Sequence, residues 1–213
     1  MASLVNPLTC TESSHAAAEQ LTATATASTW AWLLIEYSGR WEPKAWEGAD
    51  VPTEVRAHVD EALAATPGSR LLLIRRADSC DAPAFRVFVG DSRPGLERLH
   101  RFTISHYGQL LEVDLKGALS GHALPDKAEE VTALYAVCTH GKRDQCCAVH
   151  GMAVYRALST VRPESTWQSS HHGGHRFAPT VLAFPEGYHL GRVRSADAEA
   201  IVTRHEAGAP PAL

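Results

Sequence analysis

Two pairs of side chains in this 213-residue chain have the types and spacing to do chemistry. Cys138 and Cys147 form a C-x8-C pair inside CTHGKRDQCCAVHG, and His171 and His175 form an H-x3-H pair inside SSHHGGHRFA. Three of the five cysteines and five of the twelve histidines fall between Cys138 and His175. Thiolates and neutral imidazoles are the side chains that hold zinc, iron or an iron–sulfur cluster. Neither pair is a compact C-x-x-C knuckle, so spacing alone leaves the metal open.

The local setting suits such a role. Cys138 closes an apolar run, VTALYAV, that reads as a strand, and Cys147 stands near the start of a helix. Loops at strand ends converge in α/β proteins, and the free amides of a helix start favour a thiolate. Lys142, Arg143 and Asp144 make the intervening loop polar. Gly173-Gly174, between the histidines, argues for a loop whose backbone can approach something closely.

The elements that must position these residues read as an α/β chain in two halves. Residues 1–28, rich in Ala, Thr and Ser, read as a helix or extended arm. The first half, 29–116, opens with Trp30–Tyr37, a dense apolar strand. Pro52–Ala65 reads as a helix with Val55, Val59, Ala62 and Leu63 on one side. Leu71–Ile74 reads as an interior strand, and Phe85–Val89 as a strand with one wetter face. Strands are also expected at Leu99–Ser105 and Leu110–Leu115. Gly117–Glu130 reads as a connection. The second half, 131–213, begins with the strand Val131–Val137 and a helix carrying Val149, Met152, Ala153 and Leu158. Short strands follow at Thr166–Ser169, Val181–Phe184 and His189–Val193. A last helix is capped at Ser195 and ends near Gly208. Strand–helix–strand, then strands and a final helix, is a thioredoxin-like order, loosely shared by both halves in mixed sheets.

Composition bounds the rest. Apolar residues make up 45% and charged residues 21%, as in ordinary globular chains. A net charge of −4 points to no nucleic-acid or polybasic membrane surface. No apolar run is long enough for a membrane span, and the first residues lack the basic and apolar regions of a signal peptide. Five cysteines, an odd number with Cys146–Cys147 adjacent, argue against a disulfide framework and for a reducing, cytoplasmic setting.

The combination C-x-HG-x-RD-x-x-C, an apolar helix, H-x-GG-H-R-FA, then P-x-G and GRV resembles the sucrase/ferredoxin-like family. The resemblance is strongest from Cys138 to Val193, and CTESS…WLLIEYSGRW is similar to bacterial members. It implies a thioredoxin-like ferredoxin whose [2Fe–2S] cluster is held by two cysteines and two histidines. By position, Cys138 and Cys147 would hold one iron, and His171 and His175 the other. Cys146 departs from the fungal pattern, which has a basic residue there. The word sucrase carries no weight, because no pair of carboxylates is marked for glycoside chemistry.

A competing set lies in the same stretch. Cys138-x-His140 and Cys147-x-x-His150 imitate the pairs of Rieske centres, but the pairs lie too close together. His140 and His150 therefore read as groups outside the ligand set. Cys10, Cys80 and Cys146 read as packing or bystander residues, and His172 as solvent-facing. Arg176 reads as a surface group or as a charge that offsets a reduced cluster. The expected function is one-electron transfer by a non-enzymatic carrier between redox donor and acceptor proteins, with neither nucleic acid nor membrane involved. Two alternatives stand: a thiol–disulfide oxidoreductase on the same scaffold, which lacks C-x-x-C, and a zinc-stabilised module with the same four ligands.

Overall fold

The computed structural model of the chain describes residues 9–19, 29–80 and 84–211, leaving aside the side chains of Asp78 and Cys80. In order, the elements are helix α1 (Cys10–Ala16), strand β1 (Ala31–Glu36), α2 (Thr53–Ala64), β2 (Ser69–Arg75), β3 (Phe85–Asp91), β4 (Arg98–Ile104) and α3 (Leu115–Ser120). Then come β5 (Glu129–Glu130), β6 (Leu134–Cys138), α4 (Gln145–Val161), β7 (Thr166–Ser169), β8 (Val181–Phe184), β9 (Tyr188–Leu190) and α5 (Ala198–Glu206).

The nine strands of the described residues join one mixed sheet in the order β5-β4-β3-β1-β2-β7-β6-β8-β9. Within it an arrangement occurs twice. β1 pairs parallel with β2 and antiparallel with β3, and β4 adds antiparallel to β3. β6 pairs parallel with β7 and antiparallel with β8, and β9 adds antiparallel to β8. The two arrangements meet at β2 and β7, which run antiparallel through Ile74↔Ser169 and Arg75↔Gln168. Each half is strand–helix–strand, two antiparallel strands and a helix, the thioredoxin-like order its sequence suggests.

Alternation along each strand divides the core into layers. On β1, Leu33 and Ile35 face outward against Val55, Val59 and Ala62 of α2, with Leu115 and Leu119 of α3 in the same cluster. Tyr135 and Val137 of β6 meet Val154 and Leu158 of α4 and Ile201 of α5. The inward residues form a third cluster without helices, including Trp32, Leu34, Phe88, Trp167 and Phe184. The sheet curls to close this cluster. Trp32 on β1 meets Phe184 on β8 edge-on at 5.1 Å, although β2, β7 and β6 lie between them in the sheet.

The curl accounts for one difference from the sequence reading. β3 has no wet face from Val87 onward, because Phe88 turns into the closed inner layer. Leu110–Leu115 is not a strand either: Tyr107–Glu112 is a 3-10 turn and α3 follows directly. The Asp114 carboxylate caps α3 by accepting the Gly117 N–H at 2.8 Å, and Gly121 ends it with φ +78°. The connection between halves is thus shorter than Gly117–Glu130.

The later elements shift more modestly. The strand expected from Val131 becomes regular at Leu134. On α4 the buried positions are Cys146, Cys147, Gly151, Val154, Tyr155 and Leu158, a helical stripe that leaves Val149 61% exposed. The last strand is Tyr188–Leu190. Ser195 begins a 3-10 turn rather than capping α5, and the Asp197 carboxylate accepts the Arg194 N–H at 2.8 Å. In the N-terminal arm, Thr9 and Glu12 form a capping box on α1. Residues 1–8 and 20–28 of that arm lie outside the described residues. Among the described residues no helix is long and apolar enough to cross a membrane.

Candidate metal centre

The unit β6–α4–β7 gathers the site. β6 and β7 run parallel, with Cys138 opposite Ser169, so both strands end at one edge. Cys138 is the last residue of β6, Cys147 lies in the first turn of α4, and His171 stands two residues beyond β7. His171 Nδ1 lies 3.7 Å from the Cys138 sulfur and 3.6 Å from the Cys147 sulfur. The three donor atoms all lie within 4.8 Å of one another. Both thiols have zero exposure.

The two thiols are not alike. The Cys147 thiol donates to Cys138, and that hydrogen bond, with others from His171 and the His140 backbone, holds Cys138 well below the usual thiol range despite burial. The same bond and burial push Cys147 up. Cys138 is thus the more acidic thiol of the pair. Metal binding requires deprotonated sulfur and imidazole donors, and the lowered Cys138 goes part of the way.

His175, the fourth expected donor, begins a 3-10 turn, and its ring centroid lies 5.9 Å from that of His171. Its Nε2 faces the Asp144 carboxylate at 3.8 Å, which leaves Nδ1 as its other ring nitrogen. Asp144 also caps α4, accepting the Cys146 N–H at 2.9 Å. One carboxylate thus fixes the helix carrying Cys147 and faces His175. Sequence reading placed Asp144 only in a polar loop; an Asp three residues before a helical cysteine is the cap signal that identifies it.

His140 is buried and ligates nothing. Its Nδ1 accepts the His171 backbone N–H at 3.2 Å, so its proton sits on Nε2, which donates to the Glu42 carbonyl at 2.9 Å. With both nitrogens engaged, the Rieske-like set is not formed. His150 is likewise outside the three-donor group. His172 is not solvent-facing: it is 1% exposed, and its Nδ1 lies 3.2 Å from His189 Nε2. The Gly173-Gly174 turn sends His171 toward the sulfurs and the adjacent His172 into the interior.

Arg70, on β2, is a contributor that sequence reading did not single out. It donates to the His171 carbonyl at 3.3 Å, and burial pushes its pKa down while the charge of Cys138 pushes it up. Arg176 pairs instead with Glu19 at 2.5 Å, away from the thiols. Cys146 is buried with its sulfur outside the donor group, Cys10 is exposed, and the Cys80 side chain is outside the described part.

Among the described residues the first half has no such site. Ile35 pairs with Val87 as Val137 pairs with Val181, so Glu36 occupies on β1 the place of Cys138 on β6. Glu36 has zero exposure and is held by the Arg86 guanidinium at 2.7 Å. A buried ion pair fills the position where the second half presents a thiol.

Residues 22–210 match the sucrase/ferredoxin-like family. Over 102 residues the chain is 30% identical to "Altered inheritance of mitochondria protein 32" of the yeast Meyerozyma guilliermondii, a match covering 43% of this chain and 36% of that protein. The chain therefore spans about a third of that relative's length. Among solved structures, a cysteine-to-serine variant of the thioredoxin-like [2Fe–2S] ferredoxin from Aquifex aeolicus matches 37% of this chain and 91% of its own, at 22% identity and a TM-score of 0.31.

Proposed function

Because the chain belongs to the sucrase/ferredoxin-like family, we propose that Cys138, Cys147, His171 and His175 hold a [2Fe–2S] cluster and that the protein transfers single electrons. The observation that carries this reading is the grouping of the donors. Two buried sulfurs stand together with His171 within 4.8 Å, and the His175 ring lies beside that of His171. The surroundings fit a sulfur-rich group. The hydroxyls of Ser169 and Thr180 are buried with no hydrogen-bond partner among the described residues. Both residues flank Cys138, one across β7 and one whose carbonyl accepts the Cys138 N–H. Unsatisfied donors near such a centre are groups that its inorganic sulfides could engage, and hydrogen bonds to sulfur help set its potential.

When bound, the cluster supplies one-electron redox chemistry at a potential raised by imidazole in place of thiolate. The chain supplies the rest. β6, α4 and the curled sheet exclude water from the thiols. The histidine side is open, with the His175 side chain 41% exposed, so this is the side a redox partner would reach. Asp144 faces His175 Nε2 at 3.8 Å and would help orient that ring.

A zinc-stabilised module is the second reading. Separations of 3.6 and 3.7 Å from His171 Nδ1 to the two sulfurs match the ligand–ligand edge of a single tetrahedral zinc, ~3.6 Å. A thiol–disulfide enzyme fits less well, because both sulfurs are closed to an incoming thiol. Anaerobic purification with iron, sulfide and zinc analysis decides between the first two. About two irons and two sulfides per chain, a red-brown colour and a paramagnetic signal on reduction are expected. Stoichiometric zinc without sulfide, after reconstitution, overturns the cluster.

A further inference from the structure

A cleft of about 330 Å³ opens beside His171, between the loop 43–47 of the first half and the metal-site loops. Its lining includes Arg70, Arg143, Lys44, Trp46, His140 and His171. The charge balance is one-sided. Glu47, the acidic residue of the lining, pairs with Lys44 at 3.8 Å. Arg70 donates to the His171 carbonyl at 3.3 Å, and neither it nor Arg143 pairs with a carboxylate among the described residues.

Arg70 is the unusual member of the set. Its guanidinium is half-buried, where a cation is costly, and the charge of Cys138 offsets part of that cost while leaving N–H donors open to the cleft. Only one of its five N–H donors is engaged by the His171 carbonyl, and the residue lines the cleft. A planar guanidinium fork matches the two oxygens of a carboxylate or phosphate, and Arg143 lines the same cleft. The Trp46 ring, stacked under Arg56 at 5.2 Å, gives the cleft a firm apolar wall.

We propose that this cleft binds a small oxyanion, a carboxylate or phosphate, gripped by Arg70 and Arg143 beside the imidazole of His171. The volume lies at the lower end of small-molecule sites, which suits a compact metabolite anion. The bound anion would sit next to a side chain of the metal centre, so occupancy and the state of that centre would influence each other. The inference stands on the cleft alone and holds whether the centre carries iron–sulfur, zinc or nothing.

The test is calorimetric titration of the protein with inorganic phosphate and, separately, oxalate, in chloride-poor buffer. Both the metal-free and the metal-loaded forms are used. One saturable site per chain is expected, with the two anions competing. Arg143→Gln and Arg70→Gln should each weaken binding at least tenfold, and Lys116→Gln, remote on α3, should not. Imidazole resonances of His171 should shift on titration while those of His122 stay. Arg143 is exposed, so its variant keeps the question answerable if the Arg70 variant fails to fold. Absence of saturable binding, or equal affinity in Arg143→Gln, overturns the proposal. Missing iron and sulfide with intact anion binding would overturn only the cluster.

Discussion

His140 and His171 are joined by a backbone hydrogen bond: the N–H of His171 donates to His140 Nδ1 at 3.2 Å. The opposite nitrogen of the same ring donates to the Glu42 carbonyl of the first half, and the ring meets Trp41 edge-on at 5.7 Å. A metal-site loop is thereby tied to the other half of the molecule. His140→Ala leaves two backbone groups without a partner, at roughly 1–3 kcal/mol for each one buried. Metal affinity should fall about 10–100-fold, as for other supports of a ligand. His140→Asn, whose amide oxygen can accept as Nδ1 does, should recover part of it. Competition with a chromophoric chelator measures this, and unchanged affinity in His140→Ala would remove His140 from the design.

Adjacent cysteines separate cleanly. Both are buried, but only the Cys147 sulfur joins Cys138 and His171. Cys146→Ser should keep metal content and spectrum, at a stability cost of about 1 kcal/mol for a hydroxyl in a thiol's packed place. Cys147→Ser should lose or strongly alter both. The reverse pattern would move the ligand by one residue along α4.

What was readable in the sequence follows physical lines. The strands with continuous apolar runs, Trp30–Tyr37 and Leu71–Ile74, are buried on both faces, and such runs declare themselves. Thr166–Ser169 and Val181–Phe184 fall where expected. Leu110–Leu115 misled because a short apolar run fits a strand or a helix, and the capping by Asp114 decided it. Of the expected ligand set, Cys138, Cys147 and His171 converge, with His175 one ring away. The supports were hidden for a different reason. His140, Arg70 and the His172–His189 pair act through contacts between segments far apart in sequence, which no local pattern encodes. The curl that buries Phe88 is equally a property of the whole sheet.

The His172–His189 pair gives a pH dependence. Burial holds His189 down to about 4 from an ordinary 6.5, and burial likewise holds His172 well below that value. Both stay neutral in the folded chain, while in the unfolded chain they take up protons below their ordinary pKa. A depressed histidine pKa makes the unfolded state the stronger proton binder, so stability is lost as pH falls. The loss should run from about pH 6.5 to about 4, with His189 contributing about 3 kcal/mol at most. Urea unfolding of metal-free protein across that range checks it. His189→Gln should flatten the slope, and an unchanged slope would show that His189 is protonated in the fold.

Gly151 offers the sharpest test of how the site is packed. It lies one turn after Cys147 on the buried stripe of α4, where the helix crosses the end of β6. A Cβ at Gly151 would stand 2.1 Å from the Cys138 carbonyl oxygen, which is backbone and cannot swing away. In an exposed helix, glycine to alanine gains roughly 0.8–1 kcal/mol of helix propensity. Here the added methyl must push α4 off β6, and overpacking of this kind costs about 1–3 kcal/mol. The displacement also separates the Cys147 sulfur from Cys138. Gly151→Ala should therefore lower stability in urea and weaken metal retention together, whereas Val149→Ala on the exposed face of the same helix should change neither. A Gly151→Ala protein that is more stable than the parent and holds metal equally well would mean that the close approach of α4 to Cys138 is not what sets the distance between the two sulfurs.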